Sequence, residues 1–452
     1  MGLVALADFG STYTKVRLVD PDEGRLCGGG EAPTSIETDL MDGYAAALDA
    51  ARADAGTGAA IDHRLAVSSA GGGLKVAAVG LVADLTAAAA RQAALNAGAR
   101  VEAVVSGSLG EEELGALRAA RPEIVLFAGG TDGGQAELVL ENARRLGDSG
   151  IGGHAVVACN AEVAEEVAAL LQASGTEAVV AGNVMPELGR LEVESAREAI
   201  LRVFLDHVIG GKGLSASPEF ERMVKLPTPE AVFEATRLLD DVVVLDVGGA
   251  TTDVHSSRSA EIVTPGIEDP LLPPPLALRT VEGDLGLRSG AGGVLVADQR
   301  WIVEEAAVEE AAIRQAVSIR EQDPKWLPED ERGEELEALL AVGCGAHALR
   351  RHCGTMLLAR GEAGPPTLVR DGPDLREAGL FLGTGGVFAH RSDGEEILRR
   401  VLERRAPRSL APESPRLRVD GSYVLAAAGL LATEDPEAAR RMLYRELALS
   451  KN

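Results

Sequence analysis

The stretch LADFGSTYTKVRLV, Leu6 to Val19, decides the fold. Its apolar residues read as two strands, and Gly10, Ser11 and Thr12 read as the turn between them. An ordinary hairpin has no use for an acid entering its turn or for a run of hydroxyls inside it, yet Asp8 enters this one and Thr14 and Lys15 leave it. The same form returns at residues 246–253 as DVGGATTD. Asp246 ends an apolar strand, Gly248 and Gly249 open the turn, Thr251 and Thr252 supply hydroxyls, and Asp253 closes the motif. Glycine lets backbone N–H groups approach phosphate oxygens, hydroxyls add donors, and acids hold Mg²⁺ through its water shell. Two such units would clasp one polyphosphate from both sides.

A third piece, GLFLGTGGVFAH at residues 379–390, is an apolar strand that runs into Gly383, Thr384, Gly385 and Gly386 and then a helix. Backbone bare of side chains at a helix start can lie flat against a nucleoside and offer N–H groups to its phosphates. A tight strand-to-helix turn is the ordinary alternative. Position in the chain gives the piece its weight, since the order is phosphate loop, long α/β stretch, second phosphate loop, long stretch, glycine-rich loop.

The 452 residues suffice for about three domains of ~150 residues or for two larger lobes. Apolar residues are 46%, charged residues 25%, and 53 glycines are spread throughout, the composition of a soluble α/β protein. Aromatics are only 3%, so Ala, Leu and Val must fill the interior. Against 44 Lys plus Arg stand 70 Asp plus Glu, a net charge of −26 that repels nucleic acid and anionic membrane surfaces. Cys27, Cys159, Cys344 and Cys353 show no C-x-x-C spacing and read as reduced structural thiols. With no basic segment and apolar core of a leader at the start, a cytoplasmic location is expected. No apolar run approaches the ~20 residues of a membrane span.

Between the motifs, apolar runs alternate with Ala/Leu/Glu-rich stretches: RLAVSSA, a helix near 85–97, VEAVVSG, a helix near 111–120, EIVLFAGG, HAVVACN, a helix over 161–174, EAVVAGNV and a long helix over 192–207. This βα alternation predicts a mostly parallel sheet covered by helices. A loop rich in Pro and Gly over 210–230 precedes VVVLDVGG at 242–249, which restarts the pattern. The expected lobes are therefore 1–215 and 216–452, with 95–185 a candidate inserted module. The proline-rich run PGIEDPLLPPPLALRT reads as a connection over the surface, and 302–322 and 329–340 as solvated amphipathic helices.

The order of the three glycine-rich motifs closely resembles the actin, Hsp70 and sugar-kinase superfamily, in which two ribonuclease-H-like lobes sandwich ATP in a cleft. Within it, ADFGSTYTK, SSAGGGLKVAAVGLV, FAGGTDGG, DVGGATTDVHS, RTVEGDLGLR and LGTGG together resemble the MutL family associated with glutamate mutase. That family accompanies adenosylcobalamin-dependent mutases and aminomutases and is unrelated to the mismatch-repair protein of the same name. The resemblance implies that Asp8 is the acid of the first phosphate loop, with Gly10, Ser11, Thr12 and Thr14 as donors. Asp246, Gly248, Gly249, Thr251 and Thr252 match the second loop, with Asp253 as its closing acid and one acid near Asp253 helping to orient water. Asp8 and Asp246 would hold hydrated Mg²⁺, and Gly383, Thr384, Gly385 and Gly386 would take the adenosine.

Lys15 reads either as a phosphate ligand or as a solvent-facing lysine. Asp132, in FAGGTDGG, reads as a general base or as the acid of a turn. Arg279, Glu282, Asp284 and Arg288 read as a loop facing the cleft or as a surface ion-pair cluster. Cys344, His347, His352 and Cys353 do not fall at zinc-like spacing, so a packed helix is expected there. Three functions fit: an ATPase that reactivates a cobalamin mutase as a chaperone would, a small-molecule kinase with Asp132 as base, and a non-catalytic nucleotide-binding protein. Homo-oligomerisation is compatible with each.

Overall fold

A computed structural model describes residues 2–56, 58–70, 74–209, 213–260, 267–268, 273–359 and 367–449. Gly71, Gly72 and Gly73 of the SSAGGGLKV motif, and much of the proline-rich run, lie outside them. The chain forms two compact units, Met1–Asp20 with Leu26–Ala231, and Pro21–Arg25 with Val232–Asn452.

Among the described residues the first unit holds ten strands: β1 Leu3–Phe9, β2 Tyr13–Asp20, β3 Arg25–Pro33, β4 Ile61–Ser68, β5 Lys75–Gly80, β6 Arg100–Ser106, β7 Ile124–Gly129, β8 His154–Cys159, β9 Glu177–Val180 and β10 Val224–Pro227. β1 begins with five consecutive buried residues, as a strand covered on both faces must. It pairs antiparallel with β2 and parallel with β4, and the sheet order is β10-β4-β1-β2-β3. The helix Leu40–Ala55 packs on β1 and β2. Asp39 starts it by accepting the Met41 N–H, and left-handed Gly56 ends it.

A second sheet fills the βα run, in the order β6-β5-β7-β8-β9 and parallel throughout. This is the doubly wound order 2-1-3-4-5. Its core is built from small and branched side chains, among them Ala77, Val79, Val125, Val157 and Ala168. The helix Glu194–Val203 runs on into a π-helical turn, Phe204–Val208, close to the single long helix the sequence implies.

The second unit holds β11 Val242–Val247, β12 Thr252–Ser257, β13 Ile267–Glu268, β14 Ala277–Glu282, β15 Thr355–Ala359, β16 Thr367–Asp371, β17 Leu380–Thr384 and β18 Arg416–Val419. Its main sheet runs β14-β12-β11-β17-β18, with β11 antiparallel to β12 and parallel to β17. Counted from its own first strand, each unit's main sheet has the order 5-4-1-2-3, so the ribonuclease-H-like topology is built twice. The helix Glu331–His352, capped by the Asp330 carboxylate, packs on β11, β12 and β14 and buries Leu339, Leu340 and Val342. The expected helix over 302–322 is instead two, Ala291–Ala306 and Glu310–Gln322, separated where Ala307 turns left-handed. β13, β16 and β15 form a further small sheet in this unit.

Candidate functional site

In the first unit the hairpin places Asp8 opposite Lys15 and Phe9 opposite Thr14. Residues directly opposite in an antiparallel pair share a face, and the Lys15 Nζ lies 3.6 Å from an Asp8 oxygen. Lys15 is only 18% exposed and is not the solvent-facing lysine. The other Asp8 oxygen accepts a hydrogen bond from Thr228 Oγ1 at 2.7 Å. Gly10 N–H closes the turn on the Tyr13 carbonyl. Ser11 is exposed and Thr12 partly so, whereas Thr14 is fully buried with its hydroxyl 3.2 Å from that of Thr34. Thr34 in turn donates to the Gly10 carbonyl. Ser11 is thus presented outward, Gly10 is buried with its N–H and carbonyl both bonded, and Thr14 serves the loop from within.

The second unit repeats this design. Asp246 pairs with Asp253 and Val247 with Thr252, and the Gly248 N–H closes on the Thr251 carbonyl at 2.9 Å. Thr252, the counterpart of Thr14, is likewise fully buried and donates to the Leu285 carbonyl. Asp253 is 6% exposed and ion-paired to Arg279 at 2.9 Å, while its other oxygen is buried without a hydrogen bond among the described residues. Gly249 and Ala250 are exposed, and Asp246 is partly so.

RTVEGDLGLR buttresses this loop. The N–H groups of Leu287 and Arg288 donate to the carbonyls of Gly248 and Gly249 at 3.0 and 2.7 Å. A side-chain carbon on Gly286 would lie 2.6 Å from the Gly249 carbonyl oxygen, and one on Gly290 2.5 Å from that of Ala250, so only glycine permits the approach. Arg351, at the end of the long helix, holds Asp284 with both terminal nitrogens at 2.7 and 2.9 Å and Glu282 at 2.5 Å. These contacts keep the Asp284 carboxyl below its usual range. Arg288 pairs with Glu337 on the same helix at 2.7 Å.

The third glycine motif joins the second loop. Asp246 pairs with Thr384 across the sheet, and Gly385 takes φ 99°, ψ 167°, a backbone nearly exclusive to glycine. A carbon added there would lie 2.5 Å from the Val247 carbonyl and 3.0 Å from an Asp246 carboxylate oxygen. Thr384 is 5% exposed and donates to Asp420. Asp420, buried, also accepts the N–H groups of Val424 and Leu425 that start the helix Val424–Leu431.

Asp132 stands elsewhere in the first unit, in the loop after β7. One of its oxygens accepts the Ala161 N–H at 2.9 Å and the Asn183 amide at 2.8 Å. The His and Cys residues of the long helix face separate partners. His352 lies between Thr280 and Ser256 hydroxyls, His347 beside Asp298, and burial pushes the Cys344 thiol up to about 12. No group of three His, Cys, Asp or Glu side chains able to hold a metal occurs among the described residues, nor does any helix long and apolar enough to cross a membrane.

Sequence reasoning missed Thr228 and Asp420. A Thr-Pro pair at a helix start and an Asp before Gly are routine capping and turn signals, so neither marks a site until the fold brings it to Asp8 or Thr384.

Comparison with known proteins gives the family. The acetone carboxylase structure without nucleotide is 15% identical, with 95% of this chain and 70% of that one covered and a TM-score of 0.37. A structure of glycerol dehydratase reactivase is 12% identical, covering 96% and 100%, with a TM-score of 0.36. A ROK-family glucokinase from Streptomyces griseus is also 12% identical, covering 98% and 100%, at 0.31. At such scores the repeated strand order, and not these likenesses, carries the fold. Protein MutL of Clostridium tetanomorphum is 36% identical over 464 residues, 99% of each chain. The family model described as MutL protein matches residues 4–447, and the chain therefore belongs to the MutL family.

Proposed function

We propose that this chain binds ATP with Mg²⁺, hydrolyses it, and couples the cycle to reactivation of an adenosylcobalamin-dependent mutase or aminomutase. The observation that carries the nucleotide part is the acid-glycine hairpin built twice, at the same position of the same strand order. In both copies the inner threonine and the N–H of the first turn glycine are spent on the protein, and the exposed tips, Ser11 in one and Gly249 with Ala250 in the other, are proposed to face phosphate. The donor set suits a hydrated hard cation: Asp8 is oriented by Thr228 and Lys15, and Asp246 stands at the bare backbone of Gly385. Asp8 and Asp246 are the residues proposed to hold Mg²⁺, which when bound neutralises phosphate charge.

In this reading Ser11, Thr12 and Gly249 bind phosphate, Gly248 closes the second turn on Thr251, Lys15 adds a positive charge, and Gly385 and Gly386 receive the nucleoside. Asp253, in its buried pair with Arg279, is proposed as an acceptor beneath the second loop. The all-parallel sheet β5–β9 is proposed as a module inserted into the first lobe. Family membership supports the mutase as partner. Different contacts to the nucleotide before and after hydrolysis would bias one arrangement of the chain over another, and the mutase would sense that bias. The kinase alternative rests on Asp132, whose oxygen is already committed to Ala161 and Asn183.

The test is ATP turnover by the purified chain, alone and with a cobalamin mutase inactivated by turnover. Slow turnover alone, acceleration by the mutase and recovery of mutase activity support the proposal. Stoichiometric phosphoryl transfer to an added metabolite would replace it with the kinase reading.

A further inference from the structure

One corner of the second unit is built more elaborately than a phosphate loop requires. The turn Gly385–Gly386 has the Asp246 carboxylate at one end, as described above. At its other end, a carbon added to the exposed Gly386 would lie 4.0 Å from the Tyr423 hydroxyl and would meet nothing nearer. Tyr423 is half-buried, and its hydroxyl is 3.1 Å from His390 Nε2, on the exposed residue that ends the short helix after the turn. The two rings lie 6.1 Å apart, tilted by 58°.

Tyr423 has φ 53°, ψ 41°, a left-handed backbone that bulky residues rarely adopt. The fold enforces it. Asp420, three residues earlier, ties its own N–H to the Gly383 carbonyl at 2.8 Å and its carboxylate to Thr384 and to the helix start after Tyr423. The segment carrying the ring is thereby fastened to the glycine turn. Arg121, Asp241, Ala307, Arg408 and Ala448 also take positive φ, so the conformation alone marks no site; Tyr423 differs from them in setting an aromatic hydroxyl beside the bare backbone of the glycine turn.

We infer that Tyr423, steadied by His390, is the surface on which the purine base of the bound nucleotide stacks. The inference rests on the nucleotide reading above and adds to it the residues that contact the base. A nucleoside laid along the turn would have its phosphates toward Asp246 and its base toward Tyr423, and an aromatic ring of either partner suits stacking. Tyr423 fixes the base, His390 fixes the ring.

Calorimetric titration of ATP and of tripolyphosphate, which lacks the base, into the parent, Tyr423→Gly, Tyr423→Phe and His390→Ala proteins tests this. Glycine accepts φ 53° freely, so Tyr423→Gly removes the ring while sparing the backbone. The expected result is ATP affinity about ten-fold or more weaker in Tyr423→Gly, nearly parental in Tyr423→Phe and intermediate in His390→Ala, with tripolyphosphate affinity unchanged in all. Parental ATP affinity in Tyr423→Gly, or equal losses for ATP and tripolyphosphate, would overturn the base assignment and leave the nucleotide reading standing. A parent that binds neither ligand would bring down both.

Discussion

Asp8 and Asp246 each end a buried strand with their carboxylates only partly covered, and the protein supports each differently. Asp8 has Thr228 and Lys15, while Asp246 has Gly385 against it and Asp253 opposite in the hairpin. Thr228→Val removes a hydrogen bond to a charged oxygen worth about 1.5–3 kcal/mol, so ATP turnover should fall about ten-fold or more with circular dichroism unchanged. Parental turnover in that variant would remove Thr228 from the site. Gly385→Ala meets a harder obstacle, since its carbon would press on the Val247 carbonyl at 2.5 Å. With an unfavourable φ costing about 1–3 kcal/mol besides, it should lower the urea midpoint and abolish nucleotide binding together. Unchanged stability would show that the turn yields easily.

Among elements, the loop 283–290 supports the glycine turn after β11 through backbone contacts. Gly286→Ala should displace the Gly249 carbonyl and weaken ATP binding about ten-fold or more, measured by titration, while Arg351→Met should do so less because only the anchor is lost. Equal binding in both variants would confine the loop to a packing role. The sheet behind it predicts an acid-sensitive fold. Burial holds His352 down to about 3 and His255 well below its ordinary range, so the unfolded chain takes up protons below about pH 6.5 that the folded chain refuses. Stability is then fully present above about 6.5 and falls with pH, by at most about 1.4 kcal/mol per unit for each histidine. Urea midpoints measured from pH 7 to 5 should fall less steeply in His352→Gln than in the parent, and parallel slopes would contradict the assignment. The hairpins, β11 and the βα run were legible in sequence because an apolar run, a glycine and an acid each act over a few residues. Legibility ended where distant segments meet. Nothing local says that Leu287 and Arg288 will donate to Gly248 and Gly249, or that Asp420 will receive Thr384.

For the whole molecule, the repeated order 5-4-1-2-3 was visible in the sequence only as the echo of DFGSTYTK in DVGGATTD, because other corresponding strands, RLCGGGEAP and ALRTVE or IDHRLAVS and LFLGT, share no motif. The family was legible for the opposite reason, since its motifs are dense and span nearly the whole chain. A net charge of −26 directs the search for partners away from polyanions, and a cobalamin mutase should co-purify with the chain and raise its ATP turnover. The central claim is that both hairpins serve one Mg²⁺-dependent nucleotide. The most direct measurement is ATP turnover by Asp8→Ala and Asp246→Ala proteins shown by circular dichroism to be folded. Turnover lost in both is the result expected, and an Asp246→Ala protein that hydrolyses ATP at the parental rate would contradict the account.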